Sequence, residues 1–263
     1  MFLAIDIGNT HTVLGVYQKS KLISHWRIAS SSTVTEKELA ALNQTFFVKE
    51  KIDMKSIDGV GISSVVPELT ETYSAMSKHL FHRTPMIVSS ELDLGIHLQY
   101  DHPAALGADR ICDAIAGYKK YGGPLIIIDF GTATTYDVVG TKGDFLGGVI
   151  APGIATAASA LHQRTAKLPN VELQVPPAVL GTNTTNSIQS GILFGALDAA
   201  AGMIARLQKE IQKHERKNAA VIATGGFSEF MAEHSSIIRY VEPFLVLDGI
   251  RLITERAGKK QKC

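Results

Sequence analysis

Three aspartates stand where their chemistry could be used: Asp6, Asp109 and Asp129. Asp6 ends the apolar run Phe2-Leu3-Ala4-Ile5 and opens Asp6-Ile7-Gly8-Asn9-Thr10, while Asp129 ends Leu125-Ile126-Ile127-Ile128 and opens Asp129-Phe130-Gly131-Thr132-Ala133-Thr134-Thr135. With Asp6 laid on Asp129 at a constant offset, Gly8 falls on Gly131 and Thr12 on Thr135. Gly8 lets the chain turn, and the backbone N–H groups from Asn9 through His11 to Thr12 can point at phosphate oxygens. An ionised carboxylate such as Asp6 suits a hydrated Mg²⁺, which takes one or two carboxylates beside phosphate oxygens. Around Asp129, the hydroxyls of Thr132, Thr134 and Thr135 suit either a second phosphate cradle or a monovalent cation. Alone, each loop reads equally as a plain turn with capping threonines. Given twice, the unit suggests two similar halves facing a cleft that holds something phosphorylated and metal-bound, an ATP site.

Two further segments join these loops. Ala223-Thr224-Gly225-Gly226-Phe227 runs from a strand through a glycine pair into a helix, which allows close backbone approach to adenosine or phosphate at a positively polarised helix end. A structural turn explains it as well. Gly107-Ala108-Asp109-Arg110 opens a helix continuing through Ile111, Ala114, Ile115 and Tyr118. Asp favours a helix N-terminus and Arg a solvated face, the bland explanation. Between two nucleotide-binding halves, Asp109 could instead take the proton of an acceptor hydroxyl, and Arg110 could hold an anionic group through a bidentate contact.

The elements that must position these residues follow from periodicity and breakers. Strands are expected near 2–6, 12–17 and 22–28, a helix near 34–49 capped by Thr33 or Thr35, a strand at 58–63, a helix near 68–81 and a strand at 85–88. After a connecting helix near 107–120 the order repeats. Strands are expected near 124–129, 133–139 and 144–150, helices near 153–163 and 186–214, a strand at 219–224, and helices near 227–233 and 247–257. The fold class is therefore α/β, with duplicated halves, each a mixed five-stranded sheet flanked by helices, divided as 1–120 and 121–263. In the long helix, Gly191, Gly195, Ala199 and Gly202 or Met203 make a face of small side chains. It packs against its own sheet or forms a two-fold dimer seam.

Composition removes other classes. The chain has 263 residues, 45% hydrophobic and 19% charged, enough apolar material for a full core. A net charge of +1, with basic residues in a block only at Lys259-Lys260-Gln261-Lys262, gives nucleic-acid binding no electrostatic support. Cys112 and Cys263 do not read as a disulfide framework or zinc site, which suggests a cytoplasmic protein. The first residues lack a signal peptide's positive region. The apolar stretch Ile188–Leu207 is interrupted by Asp198 and Arg206, so a buried helix is expected there rather than a membrane span. His11, His97, His102 and His162 are expected to be solvated or capping, and Trp26 to pack in the third strand.

Together the motifs resemble the acetate and sugar kinase, Hsp70 and actin superfamily, and within it the type III pantothenate kinases. The match is carried by Asp6-Ile7-Gly8-Asn9-Thr10, Gly107-Ala108-Asp109-Arg110, Asp129-Phe130-Gly131-Thr132-Ala133, Gly147-Gly148-Val149-Ile150-Ala151-Pro152-Gly153 and Gly181-Thr182-Asn183-Thr184, in that order over nearly the whole chain. The resemblance implies ATP-dependent phosphorylation of pantothenate, the entry to coenzyme A. It implies ATP contacts along Asp6-Ile7-Gly8-Asn9-Thr10-His11-Thr12-Val13 and at Thr132, with Mg²⁺ on the phosphates beside Asp6. It implies a monovalent cation, K⁺ or NH₄⁺, at Asp129. Pantothenate contacts are implied at Tyr100, Gly107, Ala108, Asp109, Arg110 and Thr184, with Asp109 the base, in a homodimer. Two rivals remain: another small-acid or sugar kinase of the superfamily, and a non-catalytic ATP-binding regulatory or accessory protein, which would need no base at Asp109.

Overall fold

In the computed structural model, which describes residues 1–215 and 217–260, the chain forms two compact units. One comprises Met1–Lys119 together with the chain from Leu245 onward, and the other Lys120–Phe244. The last helix, expected in the second half, therefore belongs to the first. Gln261, Lys262 and Cys263 lie outside the described residues.

The first unit is built on Phe2–Ile7 (β1), His11–Gln18 (β2), Lys21–Ala29 (β3), Gly59–Ser64 (β4) and Met86–Ile87 (β5), in the order β3-β2-β1-β4-β5. The β1–β2 and β2–β3 pairs are antiparallel hairpins, whereas β1–β4 and β4–β5 are parallel. Parallel pairs need a crossover; here these are the helices Glu36–Lys49 (α1) and Pro67–Phe81 (α2). Thr35 caps α1 in a reciprocal box with Glu38, the Thr35 side chain accepting from the Glu38 N–H and Glu38 accepting from the Thr35 N–H. Leu3, Ile5 and Ile7 of β1 pack with Leu39 and Phe47 of α1 and Tyr73 of α2. Trp26, buried on β3, stacks on Phe46 at 5.2 Å between ring centroids.

Helix Ala108–Tyr121 (α3) leads to the second unit, which is built on Leu125–Phe130 (β6), Ala133–Val139 (β7), Phe145–Pro152 (β8), Ala220–Thr224 (β9) and Tyr240–Val241 (β10). Their order is β10-β9-β6-β7-β8, with the same mixture of antiparallel hairpins and parallel crossovers. Helices Ile154–Arg164 (α4), Thr184–Ile211 (α5) and Ser228–Glu233 (α6) belong to it. The duplicated α/β architecture expected from the repeat is thus present to the order of the strands; two-residue β10 lacked a sequence signal.

Helix Leu245–Lys260 (α7) lies against β1 and β4 of the first unit. Tyr17 on β2 donates to Asp248 on α7 at 2.9 Å, and the Arg251 guanidinium sits over the Tyr17 ring at 5.4 Å. Burial and the neighbouring Asp248 push the Tyr17 hydroxyl well up, so it remains a donor.

Helix α5 departs from expectation. It was expected to be buried, yet only 33% of its most apolar stretch is, although the helix is long and apolar enough to cross a membrane. Ile188, Leu193, Ala200, Ile204 and Ile211 face inward, while Gly191, Gly195, Ala199 and Gly202 are exposed with Asp198 and Arg206. This is a helix docked by one face. The small-residue stripe is on the other face, so packing against its own sheet does not explain it.

Candidate active site

In the first unit the Asp6 loop is braced from below. Gly8 N–H donates to the His11 carbonyl at 3.0 Å, closing the turn, and Asn9, Thr10 and His11 are exposed on it. Asp6 is half-buried at the strand end. Ile7 and Thr12 turn inward and are buried, and Val13 is half-buried. The Thr12 hydroxyl meets Ser30 Oγ at 3.1 Å, Ser30 donates to the Gly8 carbonyl at 2.7 Å, and Tyr73 hydrogen-bonds Thr12. A run of hydroxyls thus fixes the backbone of the turn whose upper side carries the exposed residues. Ser30 and Tyr73 were not singled out from the sequence. Both lie far along the chain from Gly8, and only the β2–β3 hairpin and the α2 crossover bring them there.

Asp109 sits in the first turn of α3. Gly107 precedes it because the carboxylate folds back over that position, where a Cβ would collide with Asp109 Oδ1. Oδ1 accepts from the Arg110 N–H at 2.8 Å. Burial raises the Asp109 pKa, opposed by that hydrogen bond and by the Arg110 charge. Arg110 is itself buried, its guanidinium 6.0 Å from the half-buried Tyr100 ring. Ala108 is buried and Gly107 partly so, leaving them to shape the backbone.

Asp6 and Asp109 belong to one neighbourhood. The buried Cys112 thiol, one turn along α3 from Asp109, is pushed well up by burial and then by Asp6, Asp113 and Asp109. Asp6 and Asp109 therefore act on the same atom.

In the second unit the repeat is shortened by a residue. Ile7 faces Thr12 across the first hairpin, whereas Phe130 faces Thr134 across the second. The equivalent of Thr12 is Thr134, also buried, and not Thr135 as a constant offset suggests. Thr132 is exposed, and its carbonyl accepts from Gly153 N–H at 3.1 Å and Thr156 Oγ1 at 2.6 Å, tying the loop to the start of α4. Asp129 is half-buried beside Thr224, its register partner on β9. Gly225 follows with φ +84°, and a Cβ there would run into Asp129 Oδ1 and sit 2.8 Å from the Phe130 nitrogen. The Thr224-Gly225 turn therefore closes around Asp129.

Thr184 is brought to a different place. It opens α5 after the Asn183 cap and lines an open cavity of about 720 Å³ with Leu161, Leu168, Asn183, Ser187 and Ile188. Thr132 is bound at the opposite end of α4 from Leu161, about one and a half turns away. Of the histidines, His11, His97, His102 and His162 are exposed, and His162 Nδ1 hydrogen-bonds the Leu168 carbonyl at 2.9 Å. Among the described residues no group of three His, Cys, Asp or Glu is placed to hold a metal ion by itself.

In the first unit, a half-buried acid near a strand end stands in one neighbourhood with a half-buried acid beside a buried arginine, a set of groups suited to phosphate and a hydroxyl acceptor. The sequence pattern of the family described as type III pantothenate kinase matches residues 2–206. The chain is 44% identical to the type III pantothenate kinase of Koribacter versatilis, over 97% of this chain and 96% of that one. It is 43% identical to that of Halalkalibacterium halodurans, over 97% and 99%. Among solved structures it is similar in fold to the (R)-2-hydroxyglutaryl-CoA dehydratase component A of Acidaminococcus fermentans, with TM-score 0.54, 13% identity and coverage of 100% of this chain and 99% of that one.

Proposed function

Since the chain belongs to the type III pantothenate kinase family, we propose that Asp109 is the residue that receives the pantothenate hydroxyl proton. The reaction itself follows from the family: the chain phosphorylates pantothenate with ATP and a divalent metal, giving 4'-phosphopantothenate, the first step of coenzyme A biosynthesis.

In this reading the primary hydroxyl oxygen of pantothenate attacks the γ-phosphorus, the bond to ADP breaks, and the hydroxyl proton passes to Asp109. Magnitude decides when. An alcohol is nearly as weak an acid as water, so full transfer to an ordinary Asp before attack would cost roughly 16 kcal/mol. That is close to the whole barrier of about 17 kcal/mol for one turnover per second. Asp109 therefore orients the hydroxyl and accepts its proton late, as a loose transition state allows. Its raised pKa narrows the mismatch. The buried Arg110, with Tyr100 beside it, pairs with the pantothenate carboxylate.

The run from Asp6 to Val13 serves the ATP phosphates, through the exposed Asn9, Thr10 and His11 and the backbone of the turn. A divalent ion would neutralise charge on the transferring phosphoryl group. Asp6 would hold it, with phosphate oxygens and water supplying its remaining ligands. Asp129 with the neighbouring Thr132 serves a monovalent cation, K⁺ or NH₄⁺, and Thr132 an ATP contact. The exposed small stripe of α5 is a homodimer seam, and Thr184 is a pantothenate contact. A cytoplasmic location goes with these soluble substrates.

The single observation that carries the reading is the shared neighbourhood of Asp6 and Asp109 around Cys112. ADP release with ATP, Mg²⁺ and pantothenate, with and without K⁺, tests it beside Asp109→Asn. Turnover that depends on pantothenate and K⁺ and collapses in the variant supports acceptor, cation and base together. Full turnover in the variant removes Asp109 from the chemistry.

A further inference from the structure

Strands of a parallel pair covered on both faces are ordinarily apolar along their length. Ser63 breaks that pattern. It follows buried Val60 and Ile62 on β4, is itself 0% exposed, and stands opposite Asp6 in the β1–β4 register. A hydroxyl in such a place is costly unless hydrogen-bonded. Ser63 Oγ donates to Asp6 Oδ1 at 3.0 Å. The second unit repeats the placement independently. Thr224, 3% exposed, stands opposite Asp129 in the β6–β9 register. Each half thus sets a buried hydroxyl from its first crossover strand beside the acid that ends its first strand.

We propose that Ser63 is a positioning residue for Asp6, holding its carboxylate in the orientation that meets the metal-bound phosphates; this rests on the reading of Asp6 as the nucleotide-side acid. A carboxylate at a strand end can rotate about its two side-chain bonds, and a donor fixed in the sheet removes that freedom before the nucleotide arrives. Ser63 is itself held from the other side, since the Cys112 side chain hydrogen-bonds it. Cys112 stays a neutral thiol in that acidic, buried setting. Ser63 Oγ therefore has the Cys112 side chain on one side and, on the other, the Asp6 carboxylate to which it donates. Holding the residue from both sides fixes the direction of the hydroxyl.

The test compares Ser63→Ala, Ser63→Thr and Asp6→Asn with the wild-type enzyme. Rates are measured across a Mg²⁺ titration, ATP binding by calorimetry with Mg²⁺ and with chelator, and folding by thermal melts. In Ser63→Ala, kcat is expected to fall roughly 10- to 100-fold, the loss expected when a hydrogen bond to a charged group is removed and its partner misplaced. The Mg²⁺ concentration for half-maximal rate should rise several-fold, Mg²⁺-dependent tightening of ATP binding should shrink, and KM for pantothenate should stay within about twofold. Ser63→Thr, which installs the hydroxyl the second unit uses, should restore most of the rate. An unchanged kcat and Mg²⁺ midpoint in Ser63→Ala, with Asp6→Asn inactive, overturns the role of Ser63 and leaves that of Asp6 standing. Wild-type ATP binding and rate in Asp6→Asn overturn both. A Ser63→Ala defect matched by loss of folded protein, and not rescued by Thr, assigns Ser63 to the core alone.

Discussion

Thr12 and Thr134 occupy the same position in two repeated hairpins, facing Ile7 and Phe130 respectively, and both are buried. The first hairpin turn closes from Gly8 N–H to the His11 carbonyl, the second from Gly131 N–H to the Ala133 carbonyl, one residue sooner. The extra residue in the first copy lengthens the exposed stretch to Asn9, Thr10 and His11. The two loops can therefore serve different groups on the same scaffold.

Thr12→Val keeps the shape but leaves Ser30 and Tyr73 without their common partner hydroxyl. A loss of about 1–3 kcal/mol in urea unfolding is expected, with a raised KM for ATP as the Gly8 turn loosens. Thr135→Val, half-exposed, should change stability by less than about 0.5 kcal/mol. Equal effects of the two would show that the hydroxyl run does not brace the loop.

Asp109→Asn should lower kcat by roughly 10²- to 10⁴-fold while stabilising the protein at neutral pH. Burial favours the neutral acid, so the folded chain binds this proton more tightly than the unfolded chain. The stability this lends is full below the ordinary Asp range and is lost as pH rises through the raised folded value. The variant should melt higher than wild type at pH 7, by a margin that vanishes only below the ordinary Asp range. In the wild type, the acid limb of kcat/KM should lie above the ordinary Asp range. A variant that melts lower at every pH contradicts this.

Gly225→Ala places a Cβ in left-handed backbone and against Asp129 Oδ1. The strain should cost about 1–3 kcal/mol. Because the clash falls on Asp129, the K⁺ concentration for half-maximal rate should also rise. Lost stability with an unaltered K⁺ response would separate Asp129 from the cation.

Gly195→Arg tests the exposed face of α5. No atom lies within 4 Å of a Cβ at Gly191, Gly195 or Gly202, so the isolated fold tolerates the change. Sedimentation should find wild-type dimers and variant monomers, with the helical signal kept. A variant that remains dimeric places the seam elsewhere.

Much of the fold was legible because its signals are local. Apolar runs ending in Asp-x-Gly, the Thr35–Glu38 box and the 3.6-residue stripes mark elements wherever they pack. The repeat itself announced two similar sheets, and Asp6, Asp109 and Asp129 stand out as candidates from their immediate neighbours. Ser63 and Thr224 could have been found as well, by laying β4 on β9 as β1 was laid on β6; each is a hydroxyl at, or one residue from, the end of its strand.

By itself, then, the sequence determined the family, the duplicated halves and the three acids proposed for the chemistry, since these depend on residue type and short spacing. Tertiary structure alone decided that α7 packs on the first sheet, that the α5 small stripe is exposed, that Thr12 matches Thr134, and that Ser30, Tyr73, Ser63 and Cys112 stand behind the loop. An amphipathic helix states that one face must be buried without stating against what. A hydroxyl's partner is set by strand register and crossover path, which bring together residues whose separation along the chain carries no trace of their contact.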